Sequence, residues 1–274
     1  MPAPITVNRA MVQSGLVPLE AKVLLAHVLA TRRSWLVAHG NAVLTSDQAR
    51  SFEALARRRR DGVPIAYLTG HREFYGIDLE ITPDVLIPRP ETEILVEFAL
   101  AQIQDQLPAR ILDLGSGSGA VTLAIARLRP AAAVLGVDVS PAAVALARRN
   151  AERLQIANAE FIESDWFAQV PPGAFDLILA NPPYVADADP HLKQDDLRFE
   201  PPLALRGGAD GLTAIRTIVA GARDFLRDAG TLAVEHGYDQ AEPVQALFRA
   251  AGFDQVQSRR DLAGVLRVTS GRAI

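Results

Sequence analysis

The segment Asn181-Pro182-Pro183-Tyr184 places groups that could do chemistry at the end of an apolar run. The asparagine side chain offers a carbonyl oxygen that accepts hydrogen bonds, and proline has no backbone N–H that could compete for it. The ring of Tyr184 can lie against a flat group. Because Asn-Pro is also common in turns, the segment is either a simple turn or a site that holds a planar group.

A planar NH₂ group, in an amide or an aromatic amine, would suit this segment. Its nitrogen is a poor nucleophile because the lone pair is delocalised. The Asn181 side-chain oxygen and the Pro182 carbonyl can accept the two N–H bonds, and the prolines keep both acceptors rigid. The nitrogen could then be aimed at an electrophile, with catalysis by positioning and charge stabilisation. This chemistry favours transfer of a group onto nitrogen.

A second motif, DLGSGSGA at residues 113–120, follows the first predicted strand of the region after residue 108. Glycines at 115, 117 and 119 allow a tight turn and a close approach of the backbone to a ligand. Gly115, Gly117 and Ala120 also satisfy the dinucleotide pattern G-x-G-x-x-G/A. The loop alone therefore leaves NAD, FAD and S-adenosylmethionine open.

Two acidic positions and one aromatic position extend this potential ligand site. Asp138 ends the next predicted strand, 23 residues after Gly115, where a carboxylate can accept both ribose hydroxyls of an adenosine group. Trp166 can lie against an adenine ring and Asp165 can accept from its amino group. The alternatives are that Asp138 begins a helix before Ser140 and that Trp166 packs in the core.

After residue 108 the pattern alternates strand and helix. Apolar strands separated by helices predict a mostly parallel sheet covered on both faces, with an antiparallel pair at its end. Such sheets bind ligands beyond the carboxyl ends of their strands, where the glycine loop and Asn181 both fall. The strands are predicted in ARILDLG, AAVLGVDV, AEFIES, FDLILAN, GTLAVEHG, FDQVQSR and VLRVTS.

Residues 1–70 have a helical pattern instead. Ala21, Leu24, Leu25 and Val28 form an apolar stripe, and Thr45 with Gln48 predicts a capping box at the start of a second helix. The arginines at 57–60 fall in the last turn of that helix, where they suit its dipole or could form a docking patch for an acidic or RNA-bound partner. Residues 71–86 then predict a β-hairpin linker, and a further helix begins near Glu91 and Glu93 with Leu95, Phe98 and Ala99 facing inward.

Composition narrows the class of protein. Lys and Arg total 28 against 32 Asp and Glu, so the net charge of −4 gives no case for nonspecific binding to nucleic acid. There is no cysteine, which excludes disulfides, thiolate zinc sites and cysteine nucleophiles and fits a reducing cytosol. No signal peptide or membrane span is indicated. We therefore expect a cytoplasmic protein that binds no membrane.

Several longer segments resemble one family. PIAYLTGHREFYG, LIPRPETEILVE, FEPPLALRGGADGL and VEHGYDQ, together with NPPY, DLGSGSG and Asp138, resemble the PrmC (HemK) family of peptide-chain release factor glutamine N5-methyltransferases. The resemblance covers nearly the whole chain. It implies an α/β class I methyltransferase fold, Rossmann-like with a mostly parallel seven-stranded sheet, spanning residues 87–274. Residues 1–70 would form a small helical substrate-docking domain.

The resemblance also implies functional residues. Residues 115–119, Asp138, Trp166 and Asn181 would bind S-adenosylmethionine, and residues 181–184 would hold the glutamine of the GGQ motif in class 1 release factors. The expected cofactor-binding residues, with Asp165 added, are Gly115, Ser116, Gly117, Ser118, Gly119, Asp138, Asp165, Trp166 and Asn181. The expected catalytic residues are Asn181, Pro182 and Tyr184, and the substrate-binding set adds Pro183. A monomer that needs neither a metal nor a nucleic acid is expected.

Other functions remain open from the residues. NPPY is shared with adenine-N6 methyltransferases, although those usually need a basic face or a target-recognition module. A glutamine in a ribosomal protein is a closer alternative substrate. An NAD-dependent oxidoreductase would explain the glycine loop but not NPPY. A non-catalytic binding module would leave the catalytic groups of NPPY unexplained.

Overall fold

The computed structural model describes residues 5–171, 174–193 and 195–274. The chain divides into two compact units, Met1–His71 with Gln194–Phe199 and Arg72–Lys193 with Glu200–Ile274. No helix in the described ranges is long and apolar enough to cross a membrane.

The first unit is helical, as predicted. Its helices are α1 (Val7–Gln13), α2 (Pro18–Val28), α3 (Arg33–Ala38), α4 (Ser46–Arg60) and α5 (Ile65–Thr69), followed later in the chain by a 3₁₀ turn, Asp195–Phe199. On α2, Ala21, Leu24 and Leu25 are buried and Val28 packs against the same core, which confirms the predicted stripe.

Helix α4 begins and ends where the sequence predicts. The Thr45 hydroxyl accepts from the Gln48 backbone N–H, and the Gln48 side chain accepts from the Thr45 N–H, which confirms the capping box. The helix ends at Arg60, and Gly62 follows with a positive φ of 96°. Gly62 therefore takes a conformation that favours glycine.

The arginines at 57–60 do occupy the last turn of α4. Arg59 pairs with Glu20 and Asp196 at 2.8 Å each, and Arg60 pairs with Glu53 at 2.8 Å. These two arginines hold parts of the first unit together. Arg57 and Arg58 are exposed.

The hairpin predicted within residues 71–86 consists of β1 (His71–Phe74) and β2 (Ile77–Glu80). Arg153 bonds Asp78 at 3.2 Å, and the Asn150 side chain accepts from the backbone N–H of Glu80 at 2.8 Å. Residues 72–80 therefore pack as part of the second unit. A 3₁₀ turn, Pro90–Thr92, leads into α6 (Glu93–Gln102), where Leu95, Phe98 and Ala99 are buried as predicted.

The second unit contains the predicted seven-stranded sheet. Its strands are β3 (Arg110–Leu114), β4 (Ala133–Asp138), β5 (Ala159–Glu163), β6 (Phe175–Ala180), β7 (Leu226–Glu235), β8 (Asp254–Arg260) and β9 (Leu266–Arg272). Their order is β5-β4-β3-β6-β7-β9-β8, and β9 runs antiparallel to both of its neighbours. The final hairpin thus forms one end of the sheet, and β9 inserts between β7 and β8.

Helices cover both faces of this sheet. The helices of this unit, after α6, are α7 (Ala120–Leu128), α8 (Pro141–Leu154), the short α9 (Pro202–Leu205), α10 (Thr213–Gly221) and α11 (Ala241–Ala250). Side chains of β3, β6 and β7 share a buried cluster with α10 and α11. Ile111 and Asp113, which alternate along β3 with members of that cluster, are also buried. Ser140 caps α8 with Pro141 at its first position, as predicted.

Candidate active site

The site lies where the strand order reverses. From β3 the chain continues to β4 and β5 on one side, and then returns to place β6 on the other side of β3. Leu114 pairs with Ala180, so the glycine loop after β3 and Asn181 after β6 leave the sheet side by side. A crevice at such a reversal is the common ligand site of open parallel sheets.

The glycine loop is shaped by positive φ angles. Gly115 and Gly117 have φ values of 76° and 55°, and the N–H groups of Gly115 and Ser116 both donate to the Val137 carbonyl, at 2.8 and 2.9 Å. Gly119 has a different task as the N-cap of α7. A Cβ at Gly119 would come within 3.0–3.2 Å of the side chains of Phe161, Leu123 and Ala147.

Asp138 connects this loop to the start of α8. Its carboxylate accepts from the backbone N–H groups of Gly117 and Ser140, each at 2.9 Å. Burial raises the pKa of Asp138, and the neighbouring backbone N–H groups oppose that rise by stabilising the ionised form. The carboxylate is therefore oriented by the loop it faces.

A cavity of about 580 Å³ opens at this point. This volume falls within the roughly 300–1,000 Å³ of small-molecule sites. The predicted residues that line the cavity are Gly115, Ser116, Gly117, Ser118, Asp138, Asp165, Trp166, Asn181 and Pro183. Gly119, Pro182 and Tyr184 are not among its lining residues.

Two buried polar residues line this part of the cavity, Ser116 in the loop and Asp113 on β3. The Ser116 hydroxyl is buried and has no hydrogen-bond partner in the described part of the chain. Asp113, also in the lining, accepts from the backbone N–H and the hydroxyl of Thr122, at 3.2 and 2.6 Å, which ties β3 to α7. Burial raises the pKa of Asp113 to about 6.

Trp166 stands on a turn after β5 with a positive φ of 48°. Such a conformation is uncommon for a bulky residue and is costly unless its surroundings impose it. Here the Ser164 hydroxyl donates to the Trp166 carbonyl at 2.8 Å and accepts from the Gln169 N–H at 3.0 Å. The turn keeps the indole at the cavity wall.

The Asn181 amide is held by a residue far away in the sequence. Its side-chain nitrogen donates to the Thr92 hydroxyl at 3.0 Å, and Thr92 is 5% exposed. With the nitrogen engaged there, the Asn181 oxygen remains as an acceptor for another group. Thr92 belongs to the PETE segment of the sequence.

Tyr184 is fixed at both of its polar ends. Its hydroxyl donates to Glu235 at 3.3 Å, and its backbone carbonyl accepts from the Gln240 side chain at 3.1 Å. Burial, followed by the charge of Glu235, raises the pKa of Tyr184, which keeps the phenol protonated. Glu235 and Gln240 both lie in the VEHGYDQ segment.

The RGGADG segment, residues 206–211, packs closely against the backbone of residues 183–185, at the end of the NPPY segment. The Gly207 N–H donates to the Val185 carbonyl at 2.8 Å. A Cβ at Gly207 would lie 2.7 Å from the Pro183 carbonyl oxygen, and one at Gly211 would lie 2.3 Å from that of Tyr184. Both glycines are therefore required by the close approach of two backbone segments.

An ion pair with a buried carboxylate joins two walls of the cavity. Glu200, which is 3% exposed, pairs with Arg89 and accepts from the backbone N–H of Ile87 at 3.1 Å. Residues 83–86 and Pro88, before Arg89, and Pro201, Leu203 and Ala204, after Glu200, contribute to the cavity lining. The IPRP and EPP segments are thus joined through one carboxylate.

The fold and the cavity define this protein as a class I methyltransferase, and comparison with protein families agrees. A family model described as the methyltransferase small domain matches residues 91–197, and one described as the PrmC N-terminal domain matches residues 12–70.

Relatives identify the family. The release factor glutamine methyltransferase of Burkholderia pseudomallei (strain K96243) is 50% identical over 277 residues, which cover 99% of this chain and 97% of the relative. The release factor glutamine methyltransferase of Escherichia coli (strain K12) is 46% identical over 253 residues, 92% of this chain and 91% of its own. The chain therefore belongs to the release factor glutamine methyltransferase family.

A solved structure supports the fold independently. A methyltransferase from Pyrococcus furiosus matches with a TM-score of 0.57 and 20% identity, over 80% of this chain and 98% of the other. At this identity the likeness concerns the fold alone.

Sequence reasoning missed some residues of the site. Asp113 stands directly before the glycine loop, and a carboxylate in that position was the signal available for it. Thr92 contacts Asn181 and Glu235 contacts Tyr184, each from a distant segment of the sequence. Their only signal was that they lie in the family-like segments PETE and VEHG, which carried no assigned role.

Proposed function

We propose that this protein transfers the methyl group of S-adenosylmethionine to the side-chain nitrogen, N5, of the glutamine in the GGQ motif of class 1 release factors. The observation that carries the proposal is the Asn181 amide, whose nitrogen is held by Thr92 at the edge of a ligand-sized cavity. Its relatives bear the name release factor glutamine methyltransferase. We further propose that it acts in the cytoplasm as a monomer, without a metal or nucleic acid.

The glycine loop and its neighbours would hold the methyl donor. The open backbone at residues 115–118 offers room for its amino-acid end, and the Ser116 hydroxyl, which has no hydrogen-bond partner in the described ranges, offers a polar group. Asp138 would accept the ribose hydroxyls. Trp166 would lie against the adenine ring, and Asp165 would accept from its amino group.

The residues after β6 would prepare the nucleophile. The Asn181 side-chain oxygen and the Pro182 carbonyl would accept the two N–H bonds of the glutamine amide, and Tyr184 would fix its plane. When bound, S-adenosylmethionine supplies a methyl group on a positively charged sulfur. Asn181 and Pro182 would stabilise the positive charge that develops on nitrogen as the N–C bond forms and the S–C bond breaks. The proton then leaves the nitrogen to water.

The first unit would bind the body of the release factor. Several large apolar side chains of this unit are exposed, as residues of a binding surface are: Val12, Val17, Leu19, Val37 and Val43. Binding at a distance from the reacting nitrogen would position the glutamine and contribute to catalysis.

Asp138→Ala should weaken the binding of S-adenosylmethionine by about 1.5–3 kcal/mol, the range for hydrogen bonds to a charged group. Titration calorimetry of wild type should show binding of S-adenosylmethionine and its demethylated product, and none of NAD. Glu163→Ala is the matched control, because Glu163 pairs with Asp138 across neighbouring strands but does not line the cavity. Tight NAD binding, or equal losses in both variants, would contradict this assignment.

Methyl transfer to purified release factors, read by mass spectrometry, tests the function as a whole. The methyl group should appear on the GGQ glutamine of the intact factor. A short GGQ peptide should react with kcat/KM lower by about 10²-fold, the scale of loss that imperfect positioning causes.

The same assay separates the competing functions. Methyl groups on a ribosomal-protein glutamine or on adenine, with none on the GGQ glutamine, would overturn the substrate assignment. Equal rates on the peptide and the intact factor would contradict the docking role of the first unit.

A further inference from the structure

Glu235 is a buried carboxylate next to the proposed catalytic asparagine. Ala180 pairs with Val234 between β6 and β7, so Asn181 and Glu235 lie side by side at the ends of these strands. Glu235 is 1% exposed. One of its oxygens accepts from the Tyr184 hydroxyl, and the other has no hydrogen-bond partner in the described ranges.

Such a group is unfavourable for stability. Burial raises the pKa of Glu235 to about 7, and nearby Glu91 adds to the rise. Thr92, Tyr184 and Arg267 oppose it by stabilising the ionised form. Because a buried charge costs free energy that partners only partly repay, a well-packed neutral residue would be at least as stable here. A carboxylate at this position therefore calls for another explanation.

Thr92 links this carboxylate to the catalytic amide. Its hydroxyl accepts from the Asn181 nitrogen, so its own hydrogen is available for another acceptor. Glu235 is the carboxylate whose ionised form Thr92 stabilises. Glu235 keeps one buried oxygen without a hydrogen-bond partner in the described ranges, and an ionised carboxylate only accepts hydrogen bonds, so that oxygen is an acceptor open to the Thr92 hydrogen.

We propose that Glu235 and Thr92 are positioning residues that fix which end of the Asn181 amide faces the substrate. The inference rests on the proposed function, because it assigns Asn181 the task of accepting an N–H bond from the glutamine amide. With its nitrogen turned to Thr92, Asn181 presents its oxygen to that N–H. In the proposed arrangement Thr92 accepts from Asn181 and donates to the open oxygen of Glu235, so the carboxylate sets the direction of both hydrogen bonds. The same carboxylate holds the Tyr184 hydroxyl.

Glu235→Gln should disturb this order of donors and acceptors, while the side chain at position 235 keeps nearly the same shape. The new NH₂ group can donate to the Thr92 hydroxyl, which can then donate to the Asn181 oxygen. The Asn181 amide would turn over and present its own N–H groups to those of the substrate. Thr92→Val removes the acceptor for the Asn181 nitrogen altogether, and Thr92→Ser restores the hydroxyl.

In methyl transfer to the intact release factor, Glu235→Gln and Thr92→Val should each lower kcat by about 10–10²-fold, the scale of a hydrogen bond to a charged group. The Kd for S-adenosylmethionine and the KM for the protein substrate should change little. Thr92→Ser should retain most of the wild-type kcat. Combining Glu235→Gln with Thr92→Val should cost no more than the larger single loss, because both act through one amide.

A thermal-unfolding measurement distinguishes positioning from support of the fold. Glu235→Gln should be at least as stable as wild type, since it removes a buried charge, and yet be slower. A kcat loss accompanied by an equal loss of stability in both variants would refute the proposal. So would a wild-type kcat in Thr92→Val, or a Thr92→Ser variant as slow as Thr92→Val.

An NMR readout separates this proposal from the function it rests on. The side-chain NH₂ resonances of Asn181, assigned by their loss in Asn181→Ala, should shift in Thr92→Val and Glu235→Gln but stay near their wild-type positions in Thr92→Ser. This result needs no release factor. Unshifted resonances in all three variants would overturn the proposed positioning role of Glu235 and Thr92, even if the enzyme methylates the GGQ glutamine. Shifted resonances without such methylation would instead overturn the proposed function.

Discussion

Asn181→Ala should lower kcat by about 10²–10³-fold, the loss that follows removal of one preorganised group that stabilises developing charge. The amide nitrogen of the substrate gains positive charge only as the new bond forms, so the Asn181 oxygen contributes more in the transition state than in the bound complex. The loss should therefore fall on kcat, with little change in KM. Initial rates of methyl transfer to the intact release factor measure both constants.

Two accompanying measurements make the Asn181 result decisive. Thermal unfolding and calorimetric titration of S-adenosylmethionine should show a folded variant that still binds its cofactor. Asn181→Asp keeps an acceptor oxygen but replaces the NH₂ group that donates to Thr92 with a second acceptor. It should therefore also be slow. An Asn181→Ala enzyme with wild-type kcat would mean that the NPPY corner is only a turn.

Gly211→Ala should destabilise the second unit by about 2–6 kcal/mol. The residue has a positive φ of 76°, where a side chain costs about 1–3 kcal/mol of backbone strain. A Cβ there would also lie 2.3 Å from the Tyr184 carbonyl oxygen, and such overpacking adds about 1–3 kcal/mol. Relief of the clash would displace the Tyr184 backbone, so kcat should fall as well. Urea unfolding and initial rates measure the two effects.

Gly76→Ala is the matched control for this prediction. Gly76 has nearly the same φ, 74°, but a Cβ at that position would meet no atom within 4 Å. Its substitution should therefore cost only the strain part, about 1–3 kcal/mol. If both variants were equally destabilised and equally active, the contact of Gly211 with the NPPY corner would have no energetic role.

Much of the fold could be predicted from local sequence pattern. Apolar runs between helical segments predicted the parallel sheet, because a strand buried on both faces needs apolar side chains on both. The capping box at Thr45 and the Ser140-Pro141 helix start were also visible, since capping depends on residues only a few positions apart.

The neighbourhood of the cavity was also predictable. The glycine loop and Asn181 each follow a strand, and the carboxyl ends of parallel strands lie at one edge of the sheet. The structure brings both to one cavity together with Asp138 and Trp166. Ambiguity between an S-adenosylmethionine site and a dinucleotide site remained at the loop itself, because glycine spacing describes a backbone path and carries no ligand chemistry.

The sequence by itself thus determined the class of fold, the strand ends that carry the site and the family of the chain. Only the tertiary structure decided how the site is braced. Thr92 contacts Asn181 from 89 positions away, and Glu235 receives the Tyr184 hydroxyl from 51 positions away. Insertion of β9 between β7 and β8, and the approach of Gly211 to Tyr184, are likewise set by packing between segments. Periodicity and capping report on neighbours within one helix or strand, whereas these contacts form only when distant elements meet, which local pattern does not encode.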